Sequence, residues 1–246
     1  MDAMGGRGIV GVVSKLGLRS HWKAWTIGAV VAIVVLVVGV PFVYIHFFNS
    51  DQPAALTLDS GTSNNTAATV STDGTWKVAE DGTTTTGYRV HEVLAGQSTT
   101  AVGRTSKVTG DFTISGSKVT VATFTADMTS VKSDKDMRDK QFQGRIMETS
   151  KYPTATFTLT QPIDLGATPV AGKTYTAQAT GELTLHGTTK TITFTVNAER
   201  TGNTVKVQGS IPVTFTDYNI SSPSFAGFVT VDPSGQLEFL LDLQHS

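Results

Sequence analysis

The side chains in this chain that could carry chemistry are few and widely spaced. Its five histidines are His21, His46, His91, His186 and His245. None lies two or four residues from another, and there is no cysteine, so the usual spacings of a transition-metal site are missing. Asp134, Asp136 and Asp139 form an acidic cluster. A calcium loop counted from Asp134 needs glycine at its sixth position and glutamate at its twelfth, and those positions hold Asp139 and Arg145. The cluster reads better as the first turn of a short helix, where carboxylates meet the positive end of the helix dipole. No Gly-x-Ser-x-Gly elbow, Ser-x-x-Lys motif or Walker loop is present. The glycines of Gly110 to Gly116 sit between two strand-like runs and mark a hairpin, not a phosphate cradle. No catalytic residue, metal or cofactor is assigned on these grounds. An enzyme would need paired titratable groups in a pocket, and Glu182, His186 and Asp127 would be the first to examine.

Composition narrows the classes further. The 246 residues carry 19 Lys+Arg against 20 Asp+Glu, and only 16% are charged, which excludes a basic nucleic-acid binder. The absence of cysteine also excludes disulfide frameworks, thiol catalysis and Fe–S ligation.

The apolar residues are unevenly spread. Thr26 to Phe48 contains no charged residue, and as a helix it would span roughly 34 Å, enough for a bilayer core. Arg7, Lys15, Arg19 and Lys23 precede it and the first charge after it is Asp51, so the positive-inside rule places the N-terminus in the cytoplasm. A cleaved signal peptide is the other reading, but its apolar core is usually about 7–15 residues. The expected organisation is a cytoplasmic segment over 1–25, a membrane-spanning signal-anchor over 26–48, a flexible linker over 49–73 and an extracytoplasmic domain over 74–246. The linker assignment rests on a Ser-, Thr-, Asn- and Ala-rich stretch without periodicity.

Beyond residue 74 a two-residue rhythm takes over. Ala155, Phe157 and Leu159 alternate with threonines, as do Ile192, Phe194 and Val196; Leu183 pairs with Leu185, and Phe124 with Met128 through Ala126. Such alternation marks half-buried antiparallel strands, with β-branched threonine on the wet face. Ser115-Gly116-Ser117, Thr201-Gly202-Asn203 and Asp232-Pro233-Ser234-Gly235 are hairpin-like connections. About nine or ten strands fit the domain, favouring a barrel or a sandwich. Ser133 to Gly144 breaks the rhythm. Ser133 is placed to cap a short helix with Asp136 completing a capping box, and Gly144 to end it. The inward apolar set could fill a solid core or line a lumen, since an eight-stranded barrel is about wide enough for either.

Four segments carry a family resemblance: Val108 to Phe112 (VTGDF), Met137 to Phe142 (MRDKQF), Tyr152 to Phe157 (YPTATF) and Gly181 to Lys190 (GELTLHGTTK). In order and spacing they resemble signatures of the YceI-like family, over about Thr75 to Leu243. The resemblance implies an all-β, antiparallel, lipocalin-like β-barrel with one short helical segment, here preceded by a single transmembrane helix. It implies a long-chain lipid or polyisoprenoid held in the lumen, without catalysis. Two departures stand out: an anchor is retained, and His91 falls one place early in the second-strand pattern, so no role is carried over to it.

The expected function is therefore that of a membrane-tethered lipid binder at the cell envelope. Its candidate lining residues are Phe124, Met128, Phe142, Met147, Phe157, Leu183, Leu185, Phe194 and Phe215. Arg138, Arg104 and Arg145 are candidates for an anionic headgroup. The alternative is a ligand-free scaffold module with a solid β core, binding protein partners through an exposed patch around Phe225 and Phe228.

Overall fold

The structure is a computed structural model that describes residues 22–35, 37, 52–58, 71–80, 83–94, 96–222, 224 and 229–246. The chain divides into two compact units, 1–49 and 50–246. In the first unit a helix covers Trp22–Val34. Its apolar residues, Ile27, Val30, Val31 and Ile33 among them, are exposed. Among the described residues no helix is long and apolar enough to cross a membrane, and much of the span expected over 26–48 lies outside them.

The second unit is built on antiparallel strands: β1 Gly74–Val78, β2 Thr85–Leu94, β3 Gln97–Thr105, β4 Val108–Ser115, β5 Lys118–Asp127, β6 Lys132–Ser133, β7 Thr154–Leu159, β8 Ile163–Asp164, β9 Thr174–Leu185, β10 Thr188–Thr201, β11 Thr204–Thr214, β12 Val229–Val231 and β13 Ser234–His245. Eight of them pair in a closed cycle, β1-β4-β5-β7-β9-β10-β11-β13 and back to β1. Closure removes the unpaired edges that an open sheet would expose. The long strand β13 makes it possible. Its last residues pair with β1, while Gln236 to Leu240 pair with β2 along the same edge. The barrel is thus closed by β1 at one end and extended at the other by the β2-β3 ribbon.

The alternation read in the sequence appears as wall geometry. Phe124 faces Phe157 across β5 and β7, and Phe157 faces Leu183 across β7 and β9, all on the inner side. Threonine pairs such as Thr180 with Thr193 and Thr184 with Thr189 hydrogen-bond across the outer face at 2.8 Å. The hairpins at Gly116 and Gly202 form as expected, each glycine with positive φ.

Three local expectations are corrected. Asp232 to Gly235 does not make a hairpin, because β12 pairs with β2 and not with β13. The short helix runs Asp136–Gln141, but Ser133 does not cap it; the Asp139 carboxylate instead reaches back to the Ser133 backbone N–H (2.8 Å) and hydroxyl (2.7 Å). Gly144 does not end the helix, which continues through a wider turn over Phe142–Ile146.

The linker expected over 49–73 is also not free where it is described. Residues 52–58 lie along the outer wall. Arg89 donates to the Pro53 carbonyl at 2.6 Å, Arg104 to Ala54 at 3.3 Å and Gln208 to Leu56 at 3.0 Å. Further on, Thr72 donates to the Pro169 carbonyl and accepts from the Trp76 indole.

Candidate ligand lumen

The inner faces of the barrel enclose a cavity of about 690 Å³. This is within the range of pockets that bury a whole small ligand. A close-packed interior, the other expectation, would leave no void larger than a water molecule. The wall residues register the hollow directly. Phe124, Phe157, Phe215 and Phe239 point inward yet stay only half-buried, because their free faces look into the cavity. Other residues of the same inner wall are tight: Ala179 is 2% exposed and Phe194 6%. Phe194 sits edge-on to Phe157 at 5.3 Å and to Phe239 at 5.9 Å, a continuous aromatic strip along one side.

All nine residues proposed from sequence for the lining, Phe124, Met128, Phe142, Met147, Phe157, Leu183, Leu185, Phe194 and Phe215, border this one cavity. Sequence reasoning missed Tyr88, Val90, Leu94, Ile146, Val229 and Val231, which also line it. The alternation of Tyr88, Val90, Glu92 and Leu94 along β2 was the available signal, disguised by the threonine tract before it and the glutamate within it.

The two ends differ. At one, Arg200 is buried with its guanidinium 5.1 Å from the Trp76 ring centroid and its Nε donating to the Gly202 carbonyl at 2.9 Å. A second guanidinium nitrogen donates to the Thr72 hydroxyl. Burial lowers the Arg200 pKa. Pro169 and Tyr175 complete this floor, and both are buried. At the other end the rim is made by the helix Asp136–Gln141 and the turn after it. The rim residues Met137, Gln141, Arg145 and Gln236 border the cavity and are exposed, Met137 at 68%. Among the described residues, the cavity opens here.

Tyr88 stacks on Phe142 at 5.0 Å just inside the mouth, and burial pushes its phenol well above the usual range. Arg138 lies beside them. It donates to Glu92 at 3.0 Å and to Asp134, four residues before it. Burial by itself would lower the Arg138 pKa, but the carboxylates of Glu92 and Asp134 outweigh it and hold the guanidinium above its ordinary value. An anionic headgroup would have to displace those carboxylates. Arg145 is exposed at the rim. Arg104 is not at the lumen: it lies on the outside, where it and Arg89 clasp Glu238 at 2.5 and 2.8 Å. That cluster spans three strands because Gly87, paired opposite both Glu238 and Arg104, leaves the path between them open. A Cβ at Gly87 would come within 1.9 Å of the Gly103 carbonyl.

None of the three residues named for an enzyme borders the cavity. Asp127 accepts from the Thr129 backbone and hydroxyl, and Glu182 is exposed on the outer wall. His186 holds a structural corner. Its Nδ1 is 3.1 Å from the Tyr218 carbonyl, its Nε2 is 3.3 Å from Glu148, and its ring meets Tyr152 edge-on at 4.6 Å. Among the described residues, no group of three His, Asp or Glu side chains converges to hold a metal ion. Phe225 and Phe228 lie outside the described residues.

The barrel resembles solved structures. A polyisoprenoid binding domain from Saccharophagus degradans superposes with a TM-score of 0.58 at 18% identity, covering 71% of this chain and 99% of that one. Among curated proteins, a UPF0312 protein of Vibrio parahaemolyticus is 38% identical over 107 residues, 41% of this chain and 51% of the relative. A UPF0312 protein of Vibrio campbellii is 36% identical over the same length. The chain thus spans about half the length of the curated relatives it matches. The model of the YceI-like domain matches residues 60–243, three quarters of the chain, and so the closed barrel, its hollow centre and the Leu183 to Lys190 signature together identify this chain as a member of the YceI-like domain family.

Proposed function

We propose that this protein is a membrane-tethered, extracytoplasmic binder and carrier of an isoprenoid or other long-chain lipid, and that it is not catalytic. The observation that carries the reading is the cavity of about 690 Å³, walled by apolar side chains and open at one end. Burial of alkyl groups there is favourable by about 0.8 kcal/mol per methylene, so ten buried carbons give roughly 8 kcal/mol before ordering costs. No reactive group is needed for that. The similarly folded Saccharophagus degradans domain is described as polyisoprenoid binding, which supports the same ligand class here. The tether reading rests on the uncharged run 26–48 with basic residues before it. From Ile27 to Val34 the helix carries no polar residue on any side, and a helix apolar all round is normally covered by something other than water.

The test is mass spectrometry of an organic extract from the purified full chain. A long-chain lipid recovered at about one per chain supports the proposal. Repeated recovery of none, from protein purified without lipid-stripping detergent, overturns it.

A further inference from the structure

The flexible linker read from sequence would join the barrel at β1. That strand begins at the floor, where Thr72 and Trp76 meet Arg200. A barrel hung that way would present its floor to the membrane and its mouth to the solution. The docked residues 52–58 change the attachment point. Gln52 donates to Asp134 at 3.1 Å, and Asp134 is itself bound to Arg138 at the mouth. From there the chain passes Arg89 and Arg104 and reaches Gln208, which pairs with Leu240 midway along β11. It therefore descends the outer wall from mouth toward floor. Gln52, the first described residue of the second unit, thus lies beside the mouth.

Only residues 49–51 separate Gln52 from the end of the uncharged run at Phe48. Four residue steps span at most about 14 Å. The floor is about 33 Å away along the eleven residues of β11.

We infer that residues 52–58 are an orienting strap that holds the mouth of the barrel, with the exposed Met137 on its rim, against the bilayer surface. This rests on the membrane-tether reading above and adds a direction to it. A lipid then enters or leaves between leaflet and lumen without crossing bulk water, and the rim helix Asp136–Gln141 is the bilayer-facing surface. The partner is the lipid bilayer itself, recognised through proximity fixed by the strap.

The absence of cysteine makes the test clean, because one introduced thiol carries one label. The full chain is prepared as Lys140→Cys, on the rim helix, and as Thr201→Cys, in the floor hairpin; both positions are exposed. Each is labelled with a bimane and reconstituted in phosphatidylcholine vesicles containing a headgroup nitroxide quencher. The rim label is expected to be quenched several-fold more than the floor label. A flexible twenty-residue Gly/Ser spacer placed before the strap, between Asp51 and Gln52, is expected to abolish the difference. The same spacer placed after the strap, between Gly61 and Thr62, is expected to leave it intact. Equal quenching at both ends, a stronger floor signal, or equal effects of the two spacers overturns the orientation while leaving the tether standing. A chain that fails to float with vesicles overturns the tether and the orientation together, whereas lipid carriage is judged separately by the extract.

Discussion

Truncating two phenylalanines of the same strip should have unequal costs. In a close-packed core, Phe→Ala typically costs about 3–5 kcal/mol. Phe194 is 6% exposed and lies between Phe157 and Phe239, so Phe194→Ala should fall in that range. Phe157 is half-buried, with one face on the lumen. What Phe157→Ala removes is one edge-to-face contact, worth about 0.5–1.5 kcal/mol. It also removes two cross-strand pairs, with Phe124 and Leu183, each worth roughly 0.2–1 kcal/mol. The expected cost is about 1–3.5 kcal/mol, at or below the low end of the range for Phe194→Ala. In the lipid-free full chain, thermal unfolding followed by far-ultraviolet circular dichroism reads this at about 2–4 °C per kcal/mol. With lipid bound the order should tighten, because the ligand supplies the missing neighbour of Phe157. A variant that binds tenfold more weakly loses a further ~1.4 kcal/mol of ligand-derived stability at fixed lipid. If Phe157→Ala costs as much as Phe194→Ala in the lipid-free protein, Phe157 is packed on all sides and the hollow-wall reasoning is wrong.

Three other outcomes follow from the geometry. Burial alone would raise the Glu238 carboxyl, but Arg89 and Arg104 outweigh it and hold its pKa below the ordinary 4.5; its stabilisation is therefore complete above that value and lost as pH falls through the lowered one, and Glu238→Gln should flatten the acid limb of a melting-temperature profile. Gly187 has φ +72° and a Cβ there would lie 2.4 Å from the Tyr152 ring, so Gly187→Ala should destabilise by more than about 1 kcal/mol in urea unfolding. Arg138→Ala leaves Glu92 and Asp134 facing each other partly buried and should cost about 3 kcal/mol, most of it regained when Glu92→Gln and Asp134→Asn are added.

The inner wall was legible because strand alternation is a local signal. ATFTLT and TITFTV declare their inner and outer faces within six residues, and the cavity lies where those faces converge. Whether the converged faces meet or stand apart depends on how many strands close the ring, and β1 joining β13 is a pairing of the first strand with the last. The Glu238 cluster was illegible for the same reason, since its members are brought together only by the register of β13, β2 and β3. The strap escaped notice on different grounds: it docks through the backbone carbonyls of Pro53, Ala54 and Leu56, which every sequence possesses and no side chain advertises. Arg138 lies beside the mouth, but its pairing with Glu92 comes only from β2 lying next to the rim helix.

The central claim is that the ligand occupies the inside of the barrel. Ala126 and Ala155 face each other across β5 and β7, and both line the cavity. Replacing both with tryptophan fills the lumen from its wall. The measurement is equilibrium binding of a long-chain polyprenol to the lipid-free full chain and to Ala126→Trp/Ala155→Trp, both checked for the same strand content. The account predicts one polyprenol per wild-type chain and at least about tenfold weaker binding by the filled variant, a difference of ~1.4 kcal/mol. Equal affinity and stoichiometry in the two proteins would place the lipid elsewhere and contradict it.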